Sequence, residues 1–343
     1  STTLNLGLDF AFLSNRLQFS GDIYQRKTTD MFTVGMSLPA VFGTDVPKGN
    51  YADLTTKGFE LSVSWRDQFQ LASKPFNYEV RFTLADYQST IDKYNNPEKK
   101  LGDDYYYEGM KVGEIWGYET EGFFTSQADI DSHAKQPYFY AGATAGQWLP
   151  GDIKFKDLNG DGVIDYGNNT VDNPGDQKII GNSEPRFIYG INLSGDWNNF
   201  FVSAFFQGVG KQDWWPGSEA SYFWGMYNRP YNDMPKSHLG NIWTEENPNT
   251  YFPRLRGYSS EEPYAELNLK QTRYLQNIAY IRMKNIQLGY TLPKSFISKL
   301  RMQNAKVYVS GENLWSWSPF YKYSKDLDVE AVRGSDRDLT EGT

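Results

Sequence analysis

The chain has 343 residues, a formal net charge of −8 and no cysteine. With no basic stripe along it, that charge argues against nucleic acid as a partner, and the missing thiols exclude a disulfide framework and thiolate chemistry. Two histidines, His133 and His238, are too few for a histidine-based zinc site or triad. No run approaches the roughly 18 apolar residues of a membrane-crossing helix, but alternating strands keep hydropathy low and remain compatible with a membrane barrel. Ser1 opens inside a strand pattern with no signal-like segment before it, so the chain is expected to be a piece of something longer.

The first predicted strand, Thr3 to Leu13, sets the pattern. Leu4, Leu6, Leu8, Phe10 and Phe12 share one parity; Asn5, Gly7, Asp9 and Ala11 share the other. A period of two places these sets on opposite faces. Ser14-Asn15 reads as a hairpin turn, and a second strand runs from Arg16 to Lys27. A long link, 28–56, leads to a third strand from Lys57 to Asp67, where Phe59, Leu61, Val63 and Trp65 oppose Glu60, Ser62, Ser64 and Arg66. The short link 68–75 precedes a fourth strand carrying Phe76, Tyr78, Val80, Phe82 and Leu84. The next link, to Pro185, is very long, with room for a short strand at Val112–Gly117 and a short helix at Gln127–Ala134. The fifth strand is Arg186 to Asp196, turned by Trp197-Asn198. The sixth, Asn199 to Gly208, is apolar on both parities and leaves its facing open. After the long link 209–277 comes a seventh strand, Ile278 to Leu292. There Arg282 and Lys284 fall on the parity of Ile286, Leu288 and Tyr290, which predicts a bulge or a strand end above the membrane. A modest link, Pro293 to Asn304, with room for one helical turn, precedes an eighth strand, Ala305 to Leu314, and a polar tail.

Short and long links alternate along the chain. Short periplasmic turns and long extracellular loops produce that pattern in an outer-membrane barrel, and strands of about 10 residues match a tilted membrane strand. Trp65, Phe76, Trp197 and Phe200 lie beside the short turns, where an aromatic girdle would sit. The first strand then descends and the eighth ascends, so at least one more descending strand is expected after Thr343, and more before Ser1. The expected fold is all-β: about eight strands of a large antiparallel transmembrane β-barrel with long extracellular loops. The alternative is a soluble, calcium-stabilised carbohydrate-binding or adhesion β-protein, which would bury Leu4, Leu6, Leu8, Phe59, Leu61 and Val80 instead of turning them to lipid.

Two local signals could carry a ligand. In Asp157-Leu158-Asn159-Gly160-Asp161-Gly162-Val163-Ile164-Asp165, side-chain oxygens fall at positions one, three, five and nine, glycine at six, and the Val163 carbonyl at seven. That is the opening of a calcium loop. Position twelve is Asn168 rather than glutamate, no helix pattern flanks the loop, and Asp172 or Asp176 would have to complete the shell. A structural Ca2+ site and a metal-free, Asx-rich turn both fit. The second signal is aromatic density in one link: Trp214, Trp215, Tyr222, Phe223, Trp224, Tyr227 and Tyr231. Such faces suit sugar rings, a protein interface such as a lid contact, or self-packing of a large loop. The carboxylate pairs Asp103/Asp104, Glu245/Glu246 and Glu261/Glu262 sit in polar context and read as solvated rather than as a glycosidase pair. No nucleophile elbow, zinc-protease, P-loop or dinucleotide motif is present.

Several segments, in order, resemble the C-terminal half of SusC/RagA-like TonB-dependent outer-membrane transporters. They are Leu54-Thr55-Thr56-Lys57-Gly58-Phe59-Glu60-Leu61, Val112–Tyr118 with Glu121–Phe124, and Pro150–Phe155 running into Asp157–Asp165. Ile180–Phe187, Tyr280–Pro293 and Val309–Leu314 follow. The resemblance implies roughly strands 14 to 21 of a 22-stranded barrel, with the plug and last strand outside the chain. It implies a location in the Gram-negative outer membrane and no bond chemistry. The expected activity is import of oligosaccharides or peptides, energised by TonB through the plug, with a SusD-like lipoprotein as lid and pairing of two transporter–lid units left open. The family usually carries Asp-Pro-Glu after the eighth strand; here the region reads Asp326-Leu327-Asp328-Val329-Glu330.

Overall fold

The computed structural model describes residues 1–34, 41, 43, 46–103, 105–136, 148–218, 220–229, 231, 233–256, 260–261, 265–325 and 327–332. Asp104, Glu262 and Asp326 lie outside the described residues. One eight-stranded antiparallel sheet dominates, and each strand pairs with its sequence neighbours within the sheet. The strands are β1 (Thr2–Phe12), β2 (Leu17–Val34), β3 (Lys48–Leu71), β4 (Lys74–Lys93), β5 (Arg186–Trp197), β6 (Phe200–Lys211), β7 (Tyr280–Thr291) and β8 (Lys306–Trp317).

The register converts the period-two pattern into continuous rows. Phe10, Phe19, Val63, Phe82, Ile191, Phe206, Met283 and Trp315 lie side by side across all eight strands. One residue along, on the opposite face, the row is Asp9, Ser20, Ser62, Thr83, Gly190, Gln207, Arg282 and Ser316. Among the described residues no second layer covers the apolar face. Leu4, Leu6 and Leu8 are 75%, 69% and 61% exposed, Val80 is exposed, and Phe59 and Leu61 are only half-buried. A sandwich would have buried all six. The apolar face therefore meets something other than protein within the chain, as a lipid-facing barrel wall does.

The predicted bulge is at Lys284. The ladder of β7 slips between Met283 and Asn285 against both neighbours. One extra residue reverses the parity, so Arg282 lands on the polar face while Ile286 and Leu288 stay on the apolar one. The sixth strand also acquires a facing: Phe200, Val202, Ala204 and Phe206 align with the apolar rows, and Ser203 and Gln207 with the polar ones.

Three short connections are tight. Ala72-Ser73 and Asn198-Asn199 have positive φ at both residues (48° and 63°, 47° and 71°), the requirement of the hairpin turns that match strand twist. The third turn is thus one residue beyond the expected Trp197-Asn198. Trp197 closes the ladder instead, and its indole N–H donates to the Leu71 carbonyl at 2.9 Å. The expected link 28–56 is largely strand. β2 and β3 extend past the other strands through two irregularities near Asp30, whose φ is +55° and whose amide donates to the Asp53 carboxylate at 2.8 Å. Those bulges break the alternation that marks strands elsewhere, which hides the extension from a periodicity reading.

Long links 94–185 and 212–279, with residues 318–332, gather at the other end of the sheet into a body with its own aromatic core. Its ladders pair Glu114–Tyr118 with Gln177–Asn182 and Thr120–Phe123 with Ile153–Phe155. The expected helix is Gln127–Ser132, started by the Ser126 hydroxyl, which accepts from the Asp129 amide at 3.2 Å.

Candidate transport wall and loop body

The polar face carries charge in paired form. Arg16 reaches Asp67 at 3.2 Å, Asn77 donates to Asp196 at 2.8 Å, and the Arg81 guanidinium donates to the Ser62 hydroxyl at 3.1 Å. Where β7 meets the loop body, Arg282 donates to Glu330 at 2.6 Å and to Asp328 at 3.1 Å, and Lys284 reaches Glu330 at 3.0 Å. Val329 between them is buried in the loop core. Val329 thus leaves both carboxylates engaged, with the Glu330 amide donating to Asp328 at 3.0 Å. Partial burial would raise the Asp328 carboxyl, but the Arg282 guanidinium outweighs it and holds the group below the usual carboxylate range. Sequence reasoning missed this network. The available signal was two basic residues out of phase on β7 and two acids in the tail.

A second charge cluster lies inside the loop body. Asp152 is fully buried and accepts from Arg254 at 3.1 Å and Arg256 at 3.0 Å. Glu266 is also buried. One carboxylate oxygen accepts from the Ile153 amide at 2.9 Å and the other has no hydrogen-bond partner. Burial pushes its carboxyl up to about 8, and Asp152 adds to the rise. Glu245 and Glu246 are exposed and Asp103 pairs with Lys270, but Glu261, expected to be solvated, is buried with both carboxylate oxygens lacking a hydrogen-bond partner.

In the 157–165 loop, Gly160 and Gly162 have φ of +78° and +84°. The carboxylate of Asp157 accepts from the amides of Gly160 (2.6 Å) and Gly162 (2.9 Å), Asn159 from Asp161 (2.9 Å), and Asp161 from Val163 (2.9 Å). Asp165 accepts from Gly167 at 2.7 Å. Among the described residues no three acidic or histidine side chains converge as a metal cage. Asp176 is fully buried and clamps the loop, accepting from Leu158 at 2.7 Å and Asp165 at 2.8 Å, while Asp172 is exposed.

The aromatic link is corrected in part. Trp214, Trp224 and Tyr227 are interior, at 5%, 0% and 0% exposure, and cannot offer a face to a substrate or lid. The indole N–H of Trp224 donates to the Pro216 carbonyl at 3.1 Å, and the Tyr227 hydroxyl to the Pro253 carbonyl at 2.6 Å. Each large ring removes some 150–250 Å2 from water, so self-packing is the stronger outcome for most of them. Trp215 is half-buried against Trp224, and Tyr222 remains exposed.

An antiparallel meander with one mainly apolar face, one polar face and long links gathered at one end defines a piece of outer-membrane-type β-barrel wall. No family model matches the chain. In sequence the chain is similar to TonB-dependent receptor P3 of Formosa agariphila, 28% identical over 93% of this chain and 30% of that protein. It is also similar to TonB-dependent receptor SusC of Bacteroides thetaiotaomicron, 22% identical over 98% of this chain and 30% of that protein. In fold it matches the RagAB peptide importer in its closed-closed state, with TM-score 0.68 and 20% identity over 98% of this chain and 34% of the other. A further RagAB peptide transporter structure gives TM-score 0.69 at 19% identity, over 97% of this chain and 32% of the other. The chain is thus similar in sequence to TonB-dependent receptors and in fold to RagAB, and it spans about a third of the length of the relatives it matches. Those relatives are receptors and importers, not enzymes.

Proposed function

We propose that the chain is the C-terminal barrel portion of a TonB-dependent importer in a Gram-negative outer membrane, supplying roughly strands 14 to 21 of 22. The rest of the barrel continues from the ends of the sheet at β1 and β8. A plug relays energy from TonB, a SusD-like lipoprotein closes over the loop body, and the cargo is an oligosaccharide or a peptide. The observation that carries this reading is the pair of eight-residue rows, one apolar toward lipid and one polar toward a wet lumen. The test uses the full-length parent protein. It should need detergent for extraction, migrate differently on a gel with and without boiling, copurify with a surface lipoprotein, and lose cargo uptake when the proton gradient is collapsed. Recovery in the aqueous fraction would sink the reading.

We also propose that Asp157, Asn159, Asp161, the Val163 carbonyl and Asp165 hold a structural Ca2+ ion. The oxygen spacing and the two left-handed glycines support it, since such a loop must curl around a cation with several oxygens.

A further inference from the structure

A cleft of about 400 Å3 opens in the loop body between the first long link and residues 268–270 of the second. It was not among the sites expected from sequence. Resting on the import reading above, we propose that this cleft is a subsite for a neutral oligosaccharide.

The volume lies within the range of small-ligand sites, about 300–1,000 Å3. Its walls carry the rings of half-buried Tyr105 and Trp116 and exposed Tyr166 over a buried Tyr107, and the first three offer flat faces on which the C–H faces of sugars can pack. The polar groups are fixed rather than mobile. The Tyr107 hydroxyl donates to the Glu114 carboxylate, the Trp116 indole donates to Tyr107 at 3.3 Å, and the Lys111 amide donates to Glu114 at 3.0 Å. Lys270 pairs with Asp103 at the rim. The remaining charge, Glu114, is negative and disfavours acidic or sulfated sugars. Hydroxyls, which both donate and accept, suit such a lining.

A peptide finds less here. Extended peptides are commonly held by adding a strand to an open sheet edge. The edge beside the cleft is already occupied: the Tyr118 amide donates to the Lys270 carbonyl at 2.8 Å, and the Thr272 amide to the Tyr118 carbonyl at 3.0 Å. Among the described residues lining the cleft the cation is Lys270, and it is taken by Asp103 rather than free for a peptide carboxylate.

The experiment presents detergent-solubilised full-length transporter to two arrays, one of neutral hexose and pentose oligosaccharides and one of short peptides. Titrations of whatever binds follow, on wild type, Tyr105→Ala, Trp116→Ala and, as a control on the link between β7 and β8 at the opposite end of the sheet, Phe296→Ala. Each variant must keep heat-modifiable mobility, which reports an intact barrel; Tyr105 lies at the half-buried rim and tolerates truncation even if Trp116 does not. Binding of a neutral oligosaccharide, weakened roughly tenfold or more by Tyr105→Ala and untouched by Phe296→Ala, is the expected result. Equal affinity in all variants, binding of peptides alone, or no binding overturns the subsite and leaves the import reading standing. Absence of the parent from the outer membrane overturns the import reading itself.

Discussion

At Arg282 and Glu266 two charges meet opposite environments, and their consequences run in opposite directions with pH. Arg282 holds Asp328 and Glu330 and so ties residues 318–332 to the wall. Asp328 keeps 44% of its side chain exposed, which screens the pair, so Arg282→Ala should cost about 1–2 kcal/mol rather than the larger penalty of a fully buried bridge. The check is limited trypsin digestion, with faster cleavage at Lys322 and Lys325 in the variant. Because the Asp328 carboxyl is depressed on folding, its contribution is present above the ordinary aspartate range and lost as pH falls through the lower folded value. Glu266 behaves the other way. Its folded carboxyl rises from 4.5 to about 8, so the stability it contributes is complete below 4.5 and lost as pH climbs toward 8. Glu266→Gln should flatten that slope and gain on the order of 1 kcal/mol at pH 8, read as thermal melting of the loop body by tryptophan fluorescence at pH 5 and pH 8. Equal slopes in wild type and variant would assign the burial cost elsewhere.

The strands show what alternation can and cannot reveal. β1 and β5 to β8 fall within three residues of their expected ends, because each is bounded by a tight turn or a change of composition. The bulge at Lys284 was legible for the same reason: a cation out of phase with Ile286 demands an extra residue. The extensions of β2 and β3 were not legible, since bulges near Asp30 scramble the parity that would have marked them. Facing gives a sharp substitution test. Leu61 lies in an apolar row and Ser62 beside it in a polar one. Leu61→Arg should destabilise the refolded barrel by about 2–4 kcal/mol, the cost of a cation on the lipid face near midplane, whereas Ser62→Arg should cost little. Urea titrations of the full-length protein in lipid vesicles measure both, and equal costs would contradict the assigned faces. The 157–165 loop was legible as an element but its occupant was not, because the same Asx oxygens satisfy either loop amides or a cation. If calcium binds there, chelation should lower the melting temperature of the loop body and expose Lys154 and Lys156 to trypsin. Asp161→Ala should abolish the difference between chelated and calcium-loaded protein, and an unchanged melt on chelation would leave the metal-free turn as the answer.

Across the whole molecule, two kinds of cohesion lie end to end. The wall is held by ladder hydrogen bonds and, in the proposed setting, by lipid on its apolar face. The loop body is held by an ordinary aromatic interior in which Phe223, Trp224, Tyr227, Phe252 and Tyr274 contact one another, at ring separations of 4.8 Å for Phe223–Trp224 and 5.2 Å for Trp224–Tyr274. That interior explains why the aromatic link misled a reading from sequence: composition announces that rings will be buried or used, but not which, and the answer depends on residues 252 and 274 from far along the same link and on residues 118, 155 and 320 arriving from elsewhere. The cluster also takes in Val209 of β6 and Tyr280 of β7, so the wall meets the loop core at its margin. Trp224→Ala removes a fully buried indole and should cost the loop body about 3–5 kcal/mol. The wall makes none of the Trp224 ring contacts described above and should be spared. The variant is therefore expected to show early loss of tryptophan fluorescence on heating and rapid deuterium uptake through residues 212–279, while the folded barrel still migrates ahead of the boiled one on a gel. If heat-modifiable mobility is lost together with the loop signal, wall and body unfold as one cooperative unit, and the loop core would then have to be counted as part of what closes the barrel.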